Sequence, residues 1–388
     1  MSGNADNDDL DVLAGGAKRT GRSVRGIAQW AHNTGCGTNN AAFAARVDLD
    51  QLLKGTPLEA EYGQSRFAIA RGQRVERIGR DNNYEKTFEV LDEAFGYPDD
   101  GRIALDMRRG HGFGNDALDA RAEATKVAVA KIVAGAKDAP NIIDGAVLKA
   151  DIGGYQARLE ADTLGARTGP EFHVAEFKSW AKVDGQFADA GKVGDALRQM
   201  GLYSLLVAQL IEEVGGDPDL ILSDVGLLVT PRNVGLHLVG SKLSLGRART
   251  VAETTLAALP DPAALVGHVD PDATFGAIAD LAAADDDRLE ALERVTDVYG
   301  IEYRQSCLSS CGLAHFCRHK AREVGAPDLC GSNVVRMLPG VSSLQRAHAL
   351  ADGVTPTDEE RATGVAEVLL DTNSLYKTAI AQHEGTGP

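Results

Sequence analysis

Between Tyr155 and Asp162 apolar and polar residues alternate, with Tyr155, Ala157, Leu159 and Ala161 set against Gln156, Arg158, Glu160 and Asp162. A period of two predicts a strand with one buried face, and it puts Asp162 on the polar side, at the strand's end. A second strand is expected in EFHVAEFKSW, where Glu176 and Lys178 lie two apart and so point the same way. If the two strands are neighbours, two carboxylates and one ammonium converge on a common point. A first core strand is expected over Ala146 to Ala150, joined to the second by a Gly153-Gly154 turn. Leu220 to Val229 and Gly235 to Leu245 read as two more strands.

Helical periods separate these runs. From Asn115 an amphipathic helix is expected, with Asn115 as N-cap and Gly135 as stop. Its Val127, Val129, Ile132 and Val133 are expected to pack on the sheet. The stretch from about Asp195 to Val214 is apolar nearly all round, hence a buried helix, and on it Gln199 and Tyr203 are neighbours on one face. Earlier, Arg66 precedes Arg71, Arg74, Arg77 and Arg80, which recur every three residues along one sector of a helix around the single acid Glu76. Further helical segments are expected to about Val298, and Thr357-Asp358-Glu359-Glu360 after Pro356 fits a capping box opening a final helix or helix pair. The first thirty residues, rich in Asn, Asp and Gly, read as a loose acidic tail. The class is α/β.

Composition narrows what such a fold can do. With 388 residues and 44% apolar content, the chain can bury a normal core. A formal net charge of −16 is not the footprint of a protein that coats nucleic acid, so any DNA contact must use a local basic groove. The arginine helix is the candidate, although a lone charge run is more often a solvated face. The amino terminus has no apolar core of a secretory signal, and the longest apolar run, Leu202 to Ile211, is too short to cross a bilayer. A cytoplasmic location without membrane contact is the expectation.

Two carboxylates and an ammonium at one point are what a hard divalent cation and an attacking water require. The ordered set of Asp162, Glu176-Phe177-Lys178 and Gln199-x-x-x-Tyr203 resembles the core of the PD-(D/E)XK nucleases, more narrowly the RecB-like type. The E-x-K triplet alone recurs by chance; the ordered set is more specific. The resemblance implies a restriction-endonuclease-like fold with a mixed central sheet flanked by helices. It also implies Mg2+ or Mn2+ held by Asp162, Glu176 and the Phe177 carbonyl, with Lys178 as the positioned cation. Gln199 and Tyr203 would flank the metal site and help position the scissile strand. Gly72 to Glu76 resembles the G-x-x-x-E element ahead of the catalytic sheet in such nucleases, making Glu76 a further metal-side ligand. His111, in RRGHGFGND, is the rival for that place and ranks below it.

The cysteines form the second signal. Cys36 stands alone, while Cys307, Cys311, Cys317 and Cys330 lie close together, a pattern that suggests metal or redox chemistry more than disulfides in an intracellular protein. The C-x3-C-x5-C run resembles the C-terminal cluster of the iron-sulfur subclass of RecB-like nucleases, which includes AddB and the CRISPR-associated adaptation nuclease. There the first pair is usually spaced C-x2-C. The resemblance implies a [4Fe-4S] cluster on Cys36, Cys307, Cys311 and Cys317, closing a loop of roughly 270 residues, worth on the order of 5 kcal/mol by chain-entropy arguments. Structural Zn2+ is the alternative, and Cys330 could replace Cys36 as the fourth ligand.

The resulting expectation is a tail over 1–30, a RecB-like nuclease domain over 31–330 and a helical extension over 331–388. Its activity would be Mg2+- or Mn2+-dependent DNA hydrolysis, at ends or in single strands, in repair or defence, with DNA and a helicase or other repair or defence protein as partners. The alternative is a non-catalytic DNA-binding or scaffold subunit of a repair or defence complex.

Overall fold

A computed structural model describes residues 5–20, 24–31, 33–59, 66–96, 102–110, 114–152, 155–166, 171–187, 189–233, 235, 237–258, 269–304 and 307–384. In chain order its elements begin with α1 (Ala5–Ala14), α2 (Val24–Ala31), α3 (Gly37–Ala45), α4 (Leu49–Leu52) and α5 (Arg66–Phe95). Then come β1 (Ala104–Asp106), α6 (Asn115–Val133), β2 (Ile142–Ile152), β3 (Tyr155–Ala166), β4 (Phe172–Phe177), β5 (Lys182–Val183) and β6 (Gln186–Phe187). They are followed by α7 (Ala190–Glu213), α8 (Pro218–Ile221), β7 (Val225–Pro231), β8 (Leu238–Ser244) and α9 (Gly246–Ala257). The last are α10 (Phe275–Ala279), α11 (Asp285–Tyr299), α12 (Cys307–Ser310), α13 (Ala314–Val324), α14 (Ser332–Met337), α15 (Leu344–Ala351), α16 (Asp358–Ala362) and α17 (Val365–Glu384). Two compact units result: a sheet unit of residues 21–31 and 63–264, and a helical unit of residues 1–20, 32–62 and 265–388.

The sheet unit is α/β. Its six strands run in the order β1-β2-β3-β4-β7-β8. β1 with β2 and β4 with β7 are parallel, while β2–β3, β3–β4 and β7–β8 are antiparallel, so the sheet is mixed. The second half of α5 packs on β7 and β8 through Phe88, Val90 and Leu91 against Leu227, Val229 and Leu238. On α6 the buried positions are Arg121, Ala122, Thr125, Ala128, Val129 and Ile132, a helical stripe from which Val127, 58% exposed, is excluded. That corrects the expected packing of Val127, which lies on the opposite sector. Asn115 is the first helical residue and Gly114 the N-cap, while Gly135 at φ 64 follows the C-cap Ala134 as expected of a stop.

Several strands depart from their expected limits. β2 begins four residues earlier than expected because Ile142 and Ile143 are fully buried and continue the ladder. β7 starts later than expected because Pro218 to Ile221 forms the short helix α8, with Pro218 early in the turn and the Asp217 side chain accepting from the Asp219 N–H. α7 starts at Ala190, where Asp189 accepts from the N–H groups of Gly191 and Lys192.

In the helical unit, Leu13, Ala14, Ala41, Ala45, Phe275, Leu292, Val295 and Phe316 share one core. The expected loose tail is thus ordered into α1 and α2 where described: Leu10, Leu13 and Ala14 of α1 lie at i, i+3 and i+4 and pack on the helical unit's core, joined by Ala17 just past the helix end. The buried Arg288 guanidinium donates to the carbonyls of Ile278, Leu52 and Lys54, tying α10, α4 and α11 together. The capping box at Thr357 and Glu360 is present, opening α16 ahead of α17. Among the described residues no helix is long and apolar enough to cross a membrane.

Gly145 lies at φ 64 on β2, and a Cβ there would come 2.7 Å from the Arg108 guanidinium carbon and 2.9 Å from Arg121. Gly145→Val should therefore destabilise the protein by about 1–3 kcal/mol. Gly72→Ala, at a helical position with nothing within 4 Å, should be neutral or stabilising by up to about 1 kcal/mol. Denaturant unfolding of the two variants distinguishes these outcomes, and equal midpoints would refute the close approach at Gly145.

Candidate active site

The β3–β4 register runs Thr163↔Ala175, Leu164↔Val174, and continued by one step it sets Asp162 opposite Glu176. The Phe177 N–H donates to Asp162 Oδ2 at 3.2 Å, holding the carboxylate against β4. Glu176 sits mid-sheet, flanked by β3 and by Leu228 of β7, and is 1% exposed. Lys178 lies one residue beyond the end of β4, where its N–H donates to the Val229 carbonyl. Its Nζ reaches Glu176 Oε1 at 2.6 Å and Gln199 Oε1 at 2.9 Å. Asp162 is not at the strand's end, since β3 runs on to Ala166.

The Gln-x-x-x-Tyr pair of α7 acts as a strut. Gln199 Nε2 donates to the Tyr203 hydroxyl at 3.3 Å, and that hydroxyl donates to the Glu160 carbonyl on β3. An i, i+4 pair thus links Lys178 to the strand that carries Asp162. Glu76 faces the same place from α5: burial and then the Asp162 charge raise its pKa, while Arg80 opposes the rise.

Burial and then the neighbouring Asp162 push the Glu176 carboxyl up to about 8. Burial also raises Asp162, against the pull of Lys178. For Lys178 burial acts downward, but Glu176 and Asp162 outweigh it, so the ammonium holds its proton more tightly than usual. Glu176 Oε2 is buried and, among the described residues, has no hydrogen-bond partner. These are the marks of a carboxylate pair that lacks enough positive charge.

Asp144 of β2 was not anticipated from the pattern. It is 3% exposed and accepts from the Tyr84 hydroxyl at 2.9 Å and from Arg80 Nε at 2.8 Å. Arg108 bridges Asp144 at 2.8 Å and Glu160 at 2.6 Å, and Arg121 reaches Glu160 at 2.9 Å and the Gly145 carbonyl at 2.5 Å. Within this connected network five carboxylates (Glu76, Asp144, Glu160, Asp162, Glu176) face four cations (Arg80, Arg108, Arg121, Lys178). With every carboxylate ionised one negative charge would be left over, and the proton that Glu176 retains up to about pH 8 is what offsets it. The only local signal for Asp144 was an acid inside an apolar run beside a glycine, in IIDGAV.

The arginine helix divides its charges. Arg80 is turned inward onto Asp144 and Glu76, and Arg71 Nε donates to the Ser179 carbonyl at 2.7 Å. Arg74 and Arg77 are exposed. Helical geometry breaks at Asp81 to Tyr84, so the three-residue recurrence ends at Arg80. The Arg66 side chain and His111 lie outside the described residues.

All five cysteines are free thiols. Burial raises Cys317, and Cys311, Cys36 and Cys307 add to the rise. Cys311 is pushed up to about 12 by burial, with Cys307 and Cys36 contributing. Cys36 is likewise raised by burial and by Cys307. These four thiols therefore lie within electrostatic reach of one another. Cys330 is raised by burial and by Asp328, with no contribution from the other four. Asn33 Nδ2 at 3.6 Å and the Arg304 N–H at 3.4 Å both point at Cys307 Sγ, as donors to a thiolate would.

Both groupings match a cation in donor type, carboxylate oxygen in one and thiol sulfur in the other. Among the described residues no three His, Cys, Asp or Glu side chains already stand at metal-holding geometry. Comparison with known protein families and with curated proteins finds no match for the chain.

A raised Glu176 has a definite pH consequence. In the unfolded chain this carboxyl titrates near 4.5, and in the folded protein near 8, so the fold binds the extra proton between those values. The stabilisation is complete below about 4.5 and is lost as pH rises through about 8. Metal-free protein should therefore lose melting temperature from pH 6 to 9, and saturating Mn2+ should restore it most at the alkaline end. Glu176→Gln should flatten both trends. A pH-independent Mn2+ shift in the wild type would remove the carboxylate pair as the ion's site.

Proposed function

We propose that the sheet unit is a divalent-metal-dependent nuclease of the RecB-like PD-(D/E)XK type, hydrolysing DNA phosphodiester bonds at ends or in single strands. The observation that carries this reading is the fully buried Glu176 beside the half-buried Asp162, with Glu176 Oε2 lacking a hydrogen-bond partner among the described residues and Lys178 alongside. The surplus negative charge around the pair favours a bound cation, which displaces the shared proton. Asp162, Glu176, Glu76 and the Phe177 carbonyl would hold Mg2+ or Mn2+. When bound, such an ion supplies a low-pKa water and neutralises charge on the reacting phosphate.

The chain's own groups then have separate tasks. Lys178, held by Glu176 and Gln199, would keep one N–H for the attacking water or a phosphate oxygen. Tyr203 keeps Gln199 in place by binding the β3 backbone. Arg80 and Arg108 hold Asp144 and Glu160 behind the pair, so they serve the site's geometry more than the DNA backbone. The exposed Arg74 and Arg77 remain for phosphate contact.

In the helical unit, Cys36, Cys307, Cys311 and Cys317 would hold a [4Fe-4S] cluster, or Zn2+ on the same thiols. Support comes from their mutual electrostatic influence and from the donors aimed at Cys307. Thiolates bound to a metal need the positive charge that these buried thiols lack. Both ends of the chain contribute to the set.

Asp162→Ala, Glu176→Ala and Lys178→Ala should each lower divalent-dependent cleavage of labelled DNA by on the order of a hundredfold or more. The two carboxylate variants should also weaken Mn2+ binding, whereas Lys178→Ala should bind Mn2+ and still cut slowly. A wild type that cuts neither single-stranded, duplex nor ended DNA with either ion moves the chain to the scaffold reading. Full activity in Lys178→Ala would place the chemistry elsewhere.

A separate test addresses the thiols. Anaerobically purified Cys36→Ala should lose its iron or zinc by elemental analysis, and Cys330→Ala should retain it. The opposite result would favour a local knot built on Cys330.

A further inference from the structure

Beyond the carboxylates, the chain folds a small aromatic hairpin directly onto the end of the catalytic strand. β4 ends at Phe177, and Trp180 follows Lys178 by two residues, about 7 Å of chain at most. The next residues form the β5–β6 ribbon, with Lys182 opposite Phe187 and Val183 opposite Gln186. Its turn is Asp184-Gly185, at φ 48 and φ 81, two left-handed residues as a type I′ hairpin requires.

Such a short ribbon would not hold its shape alone, and here it is anchored. The Asn233 N–H donates to the Lys182 carbonyl at 2.9 Å, and the Asp184 N–H donates to Asn233 Oδ1 at 3.1 Å. Lys182 Nζ donates to Ser241 Oγ of β8 at 3.0 Å. The hairpin is thus fastened to the same sheet that carries Glu176.

Trp180 meets Phe187 edge to face, with ring centroids 5.2 Å apart at 81°, and Lys182 Nζ stands 5.4 Å from the Phe187 centroid. Phe187 is therefore engaged by both neighbours and braces the indole. Trp180 itself is only partly buried, and among the described residues its indole N–H has no partner. A tryptophan kept for packing is normally enclosed, as Trp30 is at 1% exposure. Lys182 shares the Phe187 ring with it, Arg71 binds the carbonyl of the preceding Ser179, and the exposed Arg232 pairs by its backbone with Lys182, in a chain of net charge −16. A braced, half-open indole among cations beside a phosphodiester-cleaving site suits a splayed base, because every base offers a π-face and its phosphate a charge.

We propose that Trp180 stacks on a base of single-stranded DNA and so selects single strands over duplex. This rests on the nuclease reading for its substrate, but not for its test. A duplex keeps its bases stacked on one another and cannot use the indole without unpairing.

The chain has two tryptophans, and Trp30 is buried, so fluorescence changes on binding report Trp180. Titration of the full chain with oligothymidylate in EDTA should quench emission saturably, and a hairpin duplex of equal charge should not. Trp180→Ala should bind oligothymidylate on the order of tenfold or more weakly, as loss of one stacked base implies. In cleavage it should raise KM for single strands with kcat little changed, and Trp180→Phe should recover most of the loss. Wild-type emission indifferent to oligothymidylate overturns the platform, as does a Trp180→Ala protein that binds and cuts single strands like wild type. Quenching in a protein that cuts no DNA would leave the platform standing and sink the nuclease reading. Cutting without quenching would do the reverse.

Discussion

A buried and a half-buried carboxylate side by side, with one ammonium next to them, set the problem that the sheet unit's local architecture answers. Coulomb repulsion between Asp162 and Glu176 in a low-dielectric interior drives Glu176 toward its protonated form. Lys178 offsets part of that repulsion, and Gln199 and Tyr203 keep it where it can do so. Behind them Arg80, Arg108 and Arg121 make their ion pairs with Glu76, Asp144 and Glu160, and the pull of Arg108 on Asp162 does not overcome burial. A site arranged in this way stores a demand for positive charge, which is the physical basis for reading it as a cation-dependent hydrolase.

The helical unit poses the same problem with sulfur. Three of the four proposed ligand thiols are buried, and burial makes the thiolate form costly at Cys36, Cys311 and Cys317. Backbone N–H groups pull Cys36 and Cys311 partly back down, and Lys320 does so for Cys317, yet burial outweighs them at all three. Segments from before and after the sheet unit supply this set and the core around it. A bound metal there would act on chain ends far apart in sequence, whereas the carboxylate site belongs wholly to the sheet unit.

Much of this was legible in residue patterns. Period-two alternation put Asp162 on the same face as Arg158 and Glu160, and the two-residue spacing of Glu176 and Lys178 became a 2.6 Å contact. The i, i+4 spacing of Gln199 and Tyr203 became a hydrogen bond, and the Thr357 capping box formed with both its reciprocal bonds. Local rules sufficed in these cases because both partners lie on one element, or just beyond it. The helical stripe Leu10, Leu13 and Ala14 was equally local, but the surrounding acidic residues masked it.

Other features depend on which distant segments meet. Arg80 belongs to the same three-residue recurrence as Arg74 and Arg77, yet it turns inward because β2 brings Asp144 beneath it. Val127 has the apolarity of its neighbours but falls on the sector of α6 away from the sheet. Cys330 lies closer in sequence to Cys317 than Cys36 does, yet Cys36 is the one that feels the other thiols. By itself the sequence determined the face that carries Asp162, the Gln199–Tyr203 neighbourhood, the Thr357 capping box and the order of the acid, E-x-K and Gln-Tyr elements, since these follow from backbone periodicity. Strand register and helix docking decided the partners of Asp144, the inward turn of Arg80 and the four thiols that gather, because those contacts join residues whose separation along the chain carries no information about their separation in space.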